Sequence, residues 1–321
     1  MPSPLKQGRR WAASRGGALL LTLLSRLPLP VARGLGRLLG TLAFHLARAD
    51  RRRAEEQLRC AFGEPSSPGG HADLVRRVFR HLALTYLETL VYHRWGMEKT
   101  IERVPFEAWD ELEKRIEEAL AEGKGVIALS AHLGNWEMVG ARGAATWGDR
   151  SRCIARRYDY EGYQRLAERI RNGLGIRLIY QDESPRSIVR LLRGNGILGI
   201  LPDQDYKRMN GIFVDFFGRP AYTPTAPARL SLRTGASIVP VFLVREGRGY
   251  RAHVGETIRP EHARRARDPV RELTRLWSRA VEEQIRRFPE QWVWSHRRWR
   301  TTPEKVEYRR RKQRALEARR G

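Results

Sequence analysis

The residues best suited to chemistry sit in one short segment, Ser130-Ala131-His132-Leu133-Gly134-Asn135-Trp136-Glu137. Histidine is the side chain that can remove a proton near neutral pH, and a carboxylate on its other ring nitrogen would fix the tautomer and steady the imidazolium. His132 and Glu137 are five residues apart. Mid-helix they would diverge by roughly 140°. The spacing therefore predicts His132 on a turn and Glu137 in the first turn of a helix, with Gly134 allowing the sharp path between them. The bland alternative is a helix-start histidine beside a surface glutamate. Position speaks for the functional reading, because the apolar run Gly125-Val126-Ile127-Ala128-Leu129-Ser130 directly precedes it and reads as a buried strand.

Two further segments follow apolar runs in the same way. Asp203-Gln204-Asp205-Tyr206 comes after Gly196–Leu201, and Arg156-Arg157-Tyr158 comes after Cys153-Ile154-Ala155. The aspartates could orient a cation, hold a substrate hydroxyl or simply make a turn. No surrounding spacing supplies a metal-ligand set. The arginines could receive a phosphate or an oxyanion, or be a solvated strand end. The chain has no Gly-x-Ser-x-Gly elbow, Walker loop or dinucleotide fingerprint. Covalent serine or cysteine catalysis thus has no local support, and direct transfer promoted by a general base remains.

The elements that would position these groups alternate. Further strand-like runs lie at Ile176–Tyr180 and Ser237–Leu243, with helical stretches at Tyr160–Leu174, Pro185–Arg193 and Pro269–Phe288. Strands alternating with helices imply an α/β fold, a mostly parallel central sheet flanked by helices. A hairpin at its edge is expected from Val239–Arg245 and Tyr250–Val254 around Glu246-Gly247-Arg248-Gly249. Before the first strand the pattern is helical, over Asp50–Phe62, Ala72–Trp95 and a charged stretch from Phe106 to Glu122.

The N-terminal part has another character. A short leucine run, Ala18 to Leu24, follows Lys6, Arg9, Arg10 and Arg15 and is broken by Arg26, Pro28 and Pro30. It is short of the roughly 20 apolar residues of a spanning helix, and no small-x-small cleavage site follows. Val31, Leu35, Leu38, Leu39, Leu42 and Leu46 share a helix face, with Arg33, Arg37 and Gly40 on the other side. That is the pattern of a membrane-associating helix lying in the interface, or of a surface helix packed on a core. The expected division is 1–48 as this segment, 49–303 as the α/β domain with 49–105 its helical N-terminal part, and 304–321 as a basic tail. The 321 residues carry a net charge of +25, which suits an anionic partner. Cys60 and Cys153 form no disulfide framework, which fits a reducing compartment.

With these residues in view, the chain resembles the bacterial lipid A biosynthesis acyltransferase family, the transferases that add secondary lauroyl and myristoyl chains. The resemblance lies in Ala131–Glu137, matching the family's His-x4-Asp/Glu motif, and in the arginine-rich stretch Arg51–Phe62. It continues through Asp203-Gln204-Asp205, Gly211–Gly218 with Ala221 and Thr223, and Pro289–Arg298. It implies His132 and Glu137 as the catalytic pair, with Asn135, Arg157, Asp203 and Asp205 as substrate-binding or site-organising residues. It implies an acyl-carrier protein or CoA thioester as co-substrate, no other cofactor, and a lipid acceptor carrying the attacked hydroxyl. The implied setting is the cytoplasmic face of a bacterial inner membrane, against anionic lipids. The family also holds transferases of phosphatidylinositol mannosides, and these motifs do not separate the acceptors. The segment Lys207-Arg208-Met209-Asn210 and the long basic tail depart from the family pattern.

A reading of another class is a non-catalytic basic protein that binds membranes or nucleic acid. It rests on the net charge, the tail Arg309-Arg310-Arg311-Lys312, and aromatics interleaved with arginine from Trp294 to Trp299. No nucleic-acid-binding signature accompanies them, so no nucleic-acid partner is expected.

Overall fold

The computed structural model describes residues 20–65, 70–206, 209–308 and 311. The basic run Lys6–Arg15, the start of the leucine run, Lys207 and Arg208, and nearly all of the basic tail lie outside the described residues.

Seven strands form the main sheet: β1 (Phe106–Glu107), β2 (Val126–Leu129), β3 (Ser151–Ala155), β4 (Leu178–Tyr180), β5 (Ile197–Ile200), β8 (Ser237–Glu246) and β9 (Gly249–Val254). Their spatial order is β1-β9-β8-β2-β5-β3-β4. Every pairing is parallel except the β8–β9 hairpin. The fold is therefore mixed α/β with a mostly parallel sheet. The hairpin falls one place inside the edge, because the two-residue β1 pairs outside β9. The charged stretch after Phe106 is not helical throughout: β1 comes first, Ala108 takes a left-handed φ of 54°, and helix α5 starts at Trp109 (Trp109–Leu120).

Strand alternation puts opposite faces of the sheet into two cores. Along β8, Ile238, Phe242 and Val244 join one cluster, while Val239, Val241 and Leu243 join the other. The first cluster is closed by helix α10 (Pro269–Arg287) through Leu273, Trp277, Val281 and Ile285. The second is closed by α5 and by α6 (Trp136–Trp147) through Trp109, Leu112, Ile116, Met138 and Ala141. The bounds of α8 (Pro185–Arg193) match the sequence expectation. A second, two-stranded sheet pairs β6 (Gly211–Phe216) with β7 (Arg219–Pro224), and α9 (Ala226–Thr234) follows.

The N-terminal helices stack on this body. Helix α1 (Leu29–Leu46) packs on α3 (Ala72–Trp95), with α2 (Arg48–Phe62) between them in the chain and α4 (Met97–Arg103) after. The contact face of α1 is its small one. A Cβ on Gly36 would come within 2.9 Å of the Leu84 backbone, and one on Gly40 within 2.5 Å of that of Arg80. Arg33 faces the body as well, its Nε donating to Glu88 at 2.6 Å. The leucine stripe points away, with Leu38 65% and Leu46 71% exposed. Arg33, Gly36 and Gly40 thus sit on the packed side while Arg37 is exposed, and most of the leucine stripe is bare. Among the described residues no helix is long and apolar enough to cross a membrane.

Candidate active site

The three loops singled out in the sequence leave adjacent strands. β2 pairs with β5 from Val126↔Ile197 to Leu129↔Ile200, and β5 pairs with β3. His132 and Asp203 each follow the last paired residue of their strand by three positions, so the register brings them together. They meet with residues of the β3 loop around a cavity of about 330 Å³, whose lining includes His132, Arg156, Arg157, Tyr158, Gln204 and Tyr206. This is the carboxyl edge of the sheet, where parallel α/β folds collect functional groups.

The carboxylate on the histidine is Asp203, not Glu137. His132 Nδ1 donates to Asp203 Oδ1 at 2.8 Å, and the backbone N–H of His132 donates to Oδ2 at 2.9 Å. Trp292 Nε1 adds a third bond to Oδ2 at 2.9 Å. Asp203 is fully buried, and burial alone would raise its pKa. The His132 charge, the His132 side-chain bond and the bond from Trp292 outweigh that and hold the carboxyl down at about 2. An ionised acceptor on Nδ1 places the ring proton there and leaves Nε2 as the basic nitrogen. Nε2 has no hydrogen-bond partner among the described residues, and the half-buried ring lines the cavity.

Glu137 lies in the first turn of α6, as its spacing required, but it faces another helix. Arg171, on α7 (Glu161–Gly173), clasps it with Nη2 to Oε1 at 2.6 Å and Nε to Oε2 at 3.0 Å. Arg171 also lines the cavity, which makes the pair a wall of the site. No sequence signal marked Arg171, because its partner is 34 positions away and no repeat links the two.

The turn itself is stapled from three sides. Gly134 has a φ of +63°, and a Cβ there would come within 2.1 Å of the Leu243 carbonyl. Its N–H donates to Gln291 O at 3.0 Å, and His81 Nε2 meets its carbonyl at 3.1 Å. The N–H of Val293 donates to His132 O at 3.2 Å, and that of Asn135 to Leu243 O at 3.0 Å. Asn135 is fully buried and caps α6, its side chain accepting from Met138 N. Its Nδ2 donates to Tyr250 Oη at 3.0 Å, and that phenol in turn donates to the buried Glu88. Asn135 therefore holds the scaffold and does not reach the cavity lining.

Asp205 is likewise internal. It accepts from Thr301 N at 2.7 Å and Thr301 Oγ1 at 2.9 Å. The buried Arg298 beside it donates to Tyr222 O and Thr223 Oγ1, which ties the segment after α10 to β7. The motifs at 203–205, 221–223 and 289–301 are thus parts of one brace behind the histidine. Arg157 does line the cavity, but carboxylates already engage it: Nε meets Asp182 at 3.1 Å, and the guanidinium lies 3.7 Å over the Tyr180 ring. Beneath the site, an apolar slot of about 60 Å³ runs between the sheet and α6 beside Trp136, Trp147 and Cys153. Burial pushes the Cys153 thiol up to about 12, which leaves it protonated and a poor nucleophile.

A strand-end histidine with a buried anionic partner, opening on an arginine-lined cavity, is an arrangement that can accept a proton from a hydroxyl. The profile described as "Bacterial lipid A biosynthesis acyltransferase" matches residues 5–301, and the chain belongs to that family. A phosphatidylinositol mannoside acyltransferase of Mycobacterium tuberculosis (strain CDC 1551 / Oshkosh) is 32% identical over 139 residues, 42% of this chain and 43% of that protein. The chain thus matches less than half the length of that relative. The lipid A biosynthesis palmitoleoyltransferase of Escherichia coli (strain K12) is 26% identical over 298 residues, 89% of this chain and 90% of that protein. The lauroyltransferase of the same strain is 27% identical over 300 residues, covering 90% and 92%.

Proposed function

We propose that the protein is a membrane-surface O-acyltransferase that moves a fatty acyl chain from an acyl-carrier protein or CoA thioester to a hydroxyl of a glycolipid, a lipid A precursor. The observation that carries this reading is the His132–Asp203 bond, with the free Nε2 turned to an arginine-lined cavity. His132 Nε2 takes the hydroxyl proton as the oxygen attacks the thioester carbonyl. The tetrahedral intermediate collapses, the C–S bond breaks, and the imidazolium returns its proton to the departing thiolate. Asp203 steadies the imidazolium throughout. Such general-base assistance is worth about 10²–10⁴-fold.

Glu137 acts through Arg171, fixing that guanidinium on the cavity wall where phosphates or the thioester oxygen would pass. Arg156 and Arg157 extend the same arginine-lined wall, each with a carboxylate partner of its own, while Asn135 and Asp205 organise the site from behind. The bare leucine stripe of α1, together with the net charge of +25, supports residence on the anionic cytoplasmic face of an inner membrane. Each Lys or Arg near such a surface adds about 1 kcal/mol.

The test is the substitution His132→Ala, assayed for transfer from acyl thioesters to lipid acceptors. Transfer should vanish in a protein that melts like the wild type, and full retained activity would refute the mechanism. A second acceptor, a phosphatidylinositol mannoside, is favoured by the 32% identity to the mycobacterial relative against 26–27% for the E. coli proteins. Mass spectrometry of lipids from a strain lacking the protein separates the two, by which lipid class loses one acyl mass.

A further inference from the structure

The segment Asp203-Gln204-Asp205-Tyr206 leaves β5 with its side chains alternating between two surroundings. Asp203 and Asp205 are buried, the first on His132 and Trp292 and the second on Thr301. Gln204 and Tyr206 are half-buried and line the His132 cavity instead. Such alternation belongs to an extended chain, so the bonds that hold the aspartates also fix where Tyr206 emerges. Its ring is braced as well. The Tyr206 and His296 rings lie 6.0 Å apart between centroids, and His296 Nε2 accepts from the backbone N–H of Asp205 at 3.0 Å.

The Tyr206 hydroxyl has no hydrogen-bond partner among the described residues. The charges acting on it are those of Asp203, Arg156 and Tyr158, which set it between the partner of His132 and the β3 loop. Burial first, and then the Asp203 charge, raise its pKa above the ordinary 10.0. The phenol therefore keeps its proton near neutral pH and is poised to donate a hydrogen bond.

The other donors around the cavity are less suited to that task. Arg171 is engaged by Glu137, Arg157 by Asp182 and Arg156 by Asp159. Tyr158 and Gln181 are exposed. Gln204 is half-buried, but its longer side chain is held by no hydrogen bond or ring contact among the described residues. A donor stabilises developing negative charge best when it is fixed in advance and shielded from water. Tyr206 meets both conditions.

We propose that Tyr206 is a catalytic residue, the hydrogen-bond donor to the thioester carbonyl oxygen as that oxygen becomes an anion. This rests on the acyl-transfer reading above and adds a residue to its machinery. As the attacking hydroxyl oxygen bonds to the carbonyl carbon, the C=O electron pair moves onto the carbonyl oxygen, and the Tyr206 O–H donates to it. When the C–S bond breaks, that pair re-forms the carbonyl, and the phenol keeps its proton throughout. Asp203 does not oppose the new charge, because His132 is an imidazolium at that moment and offsets it.

The experiment follows thiol release from dodecanoyl-CoA, with a lipid A precursor as acceptor, and from the dithioester analogue in which sulfur replaces the carbonyl oxygen. Wild type is compared with Tyr206→Phe, Gln204→Met and His132→Ala, each checked by its melting curve. Tyr206→Phe keeps the ring against His296 and leaves no partner unpaired, so melting should not change. Its kcat for the oxygen thioester should fall about 10²–10³-fold with little change in KM, the usual loss for one oxyanion donor. Sulfur is a weak acceptor, so with the dithioester the same substitution should cost less than about tenfold. A purely structural role for the phenol would lower both donors equally, and that result would overturn the proposal. Unchanged kcat, a loss confined to KM, or a larger loss in Gln204→Met than in Tyr206→Phe would overturn it too. Release lost in His132→Ala but kept in Tyr206→Phe would sink this proposal alone, whereas release undiminished in His132→Ala, or absent in the wild type, would sink the acyl-transfer reading with it.

Discussion

Replacing Asp203 by asparagine isolates the role of the buried carboxylate, because the two side chains have the same shape. Its Oδ2 accepts from the His132 backbone N–H and from Trp292 Nε1. An asparagine would put its carbonyl oxygen there and its NH2 where Oδ1 now stands. That NH2 would donate to His132 Nδ1, driving the ring proton to Nε2, and the base facing the cavity would be blocked. A histidine in the wrong tautomer is expected to cost about 10⁴ in kcat, the scale seen when an aspartate supporting a catalytic histidine is made an amide. The charge also bears on stability. The carboxyl is held at about 2, against an ordinary value of 3.8. A depressed carboxylate contributes stability above its unfolded pKa and loses it as pH falls through the folded one, on the order of 2 kcal/mol here. Steady-state transfer assays and urea melts at pH 7 and pH 3 on wild type and Asp203→Asn test both parts. The reasoning fails if Asp203→Asn stays within about tenfold of wild type while Glu137→Gln falls by the larger factor. That result would return the supporting role to Glu137.

Acid should loosen the fold through His81. Burial, and then the Arg245 charge, lower its pKa to about 4 from 6.5, against smaller opposing effects from the Gly134 carbonyl and Glu88. Below pH 6.5 the unfolded chain gains a proton that the folded one refuses, so stability falls from there to about pH 4, by about 3 kcal/mol in all. Urea melts across that range should show a flatter decline in His81→Gln, which keeps an N–H donor for Gly134, and equal slopes would refute the assignment. At the surface, Leu38→Glu with Leu42→Glu should weaken sedimentation with anionic phosphatidylglycerol vesicles several-fold while melting stays unchanged. Undiminished sedimentation would remove the leucine stripe from the membrane contact.

The sequence exposed the elements more readily than the pairings. Helix α3 was legible residue for residue, since its long apolar periodicity ends at Gly96, and α8 since it opens at Pro185 and closes on Gly194. The three strand-end loops were legible too, because buried parallel strands read as short apolar runs. The partner of His132 was not. Glu137 is near in sequence, whereas Asp203 is 71 positions away and arrives only through the β2–β5 register. Asn135 and Asp205 carry the residue types of a binding site, but burial assigns them to the brace. The β6–β7 pair escaped notice as strands because Pro220 and Pro224 interrupt the alternation expected of β7.

The glycine contact between α1 and α3 has a mechanical consequence. Arg80, against which Gly40 is pressed, is next to His81, which holds the Gly134 carbonyl. Two rows further along, Arg33 of α1 grips Glu88, and Glu88 accepts from the phenol that steadies Asn135. The helix with the bare leucine face is thus fixed to the helix whose His81 meets the Gly134 turn. With lipid against that face, α1 serves as a fixed spacer: neighbouring helix axes lie about 8–10 Å apart, and stacking α1 on α3 sets how far His132 stands from the surface. On the acyl-transfer reading proposed above, a hydroxyl would have to be raised to that height to react, so the depth at which a lipid carries its hydroxyl would decide whether it is reached.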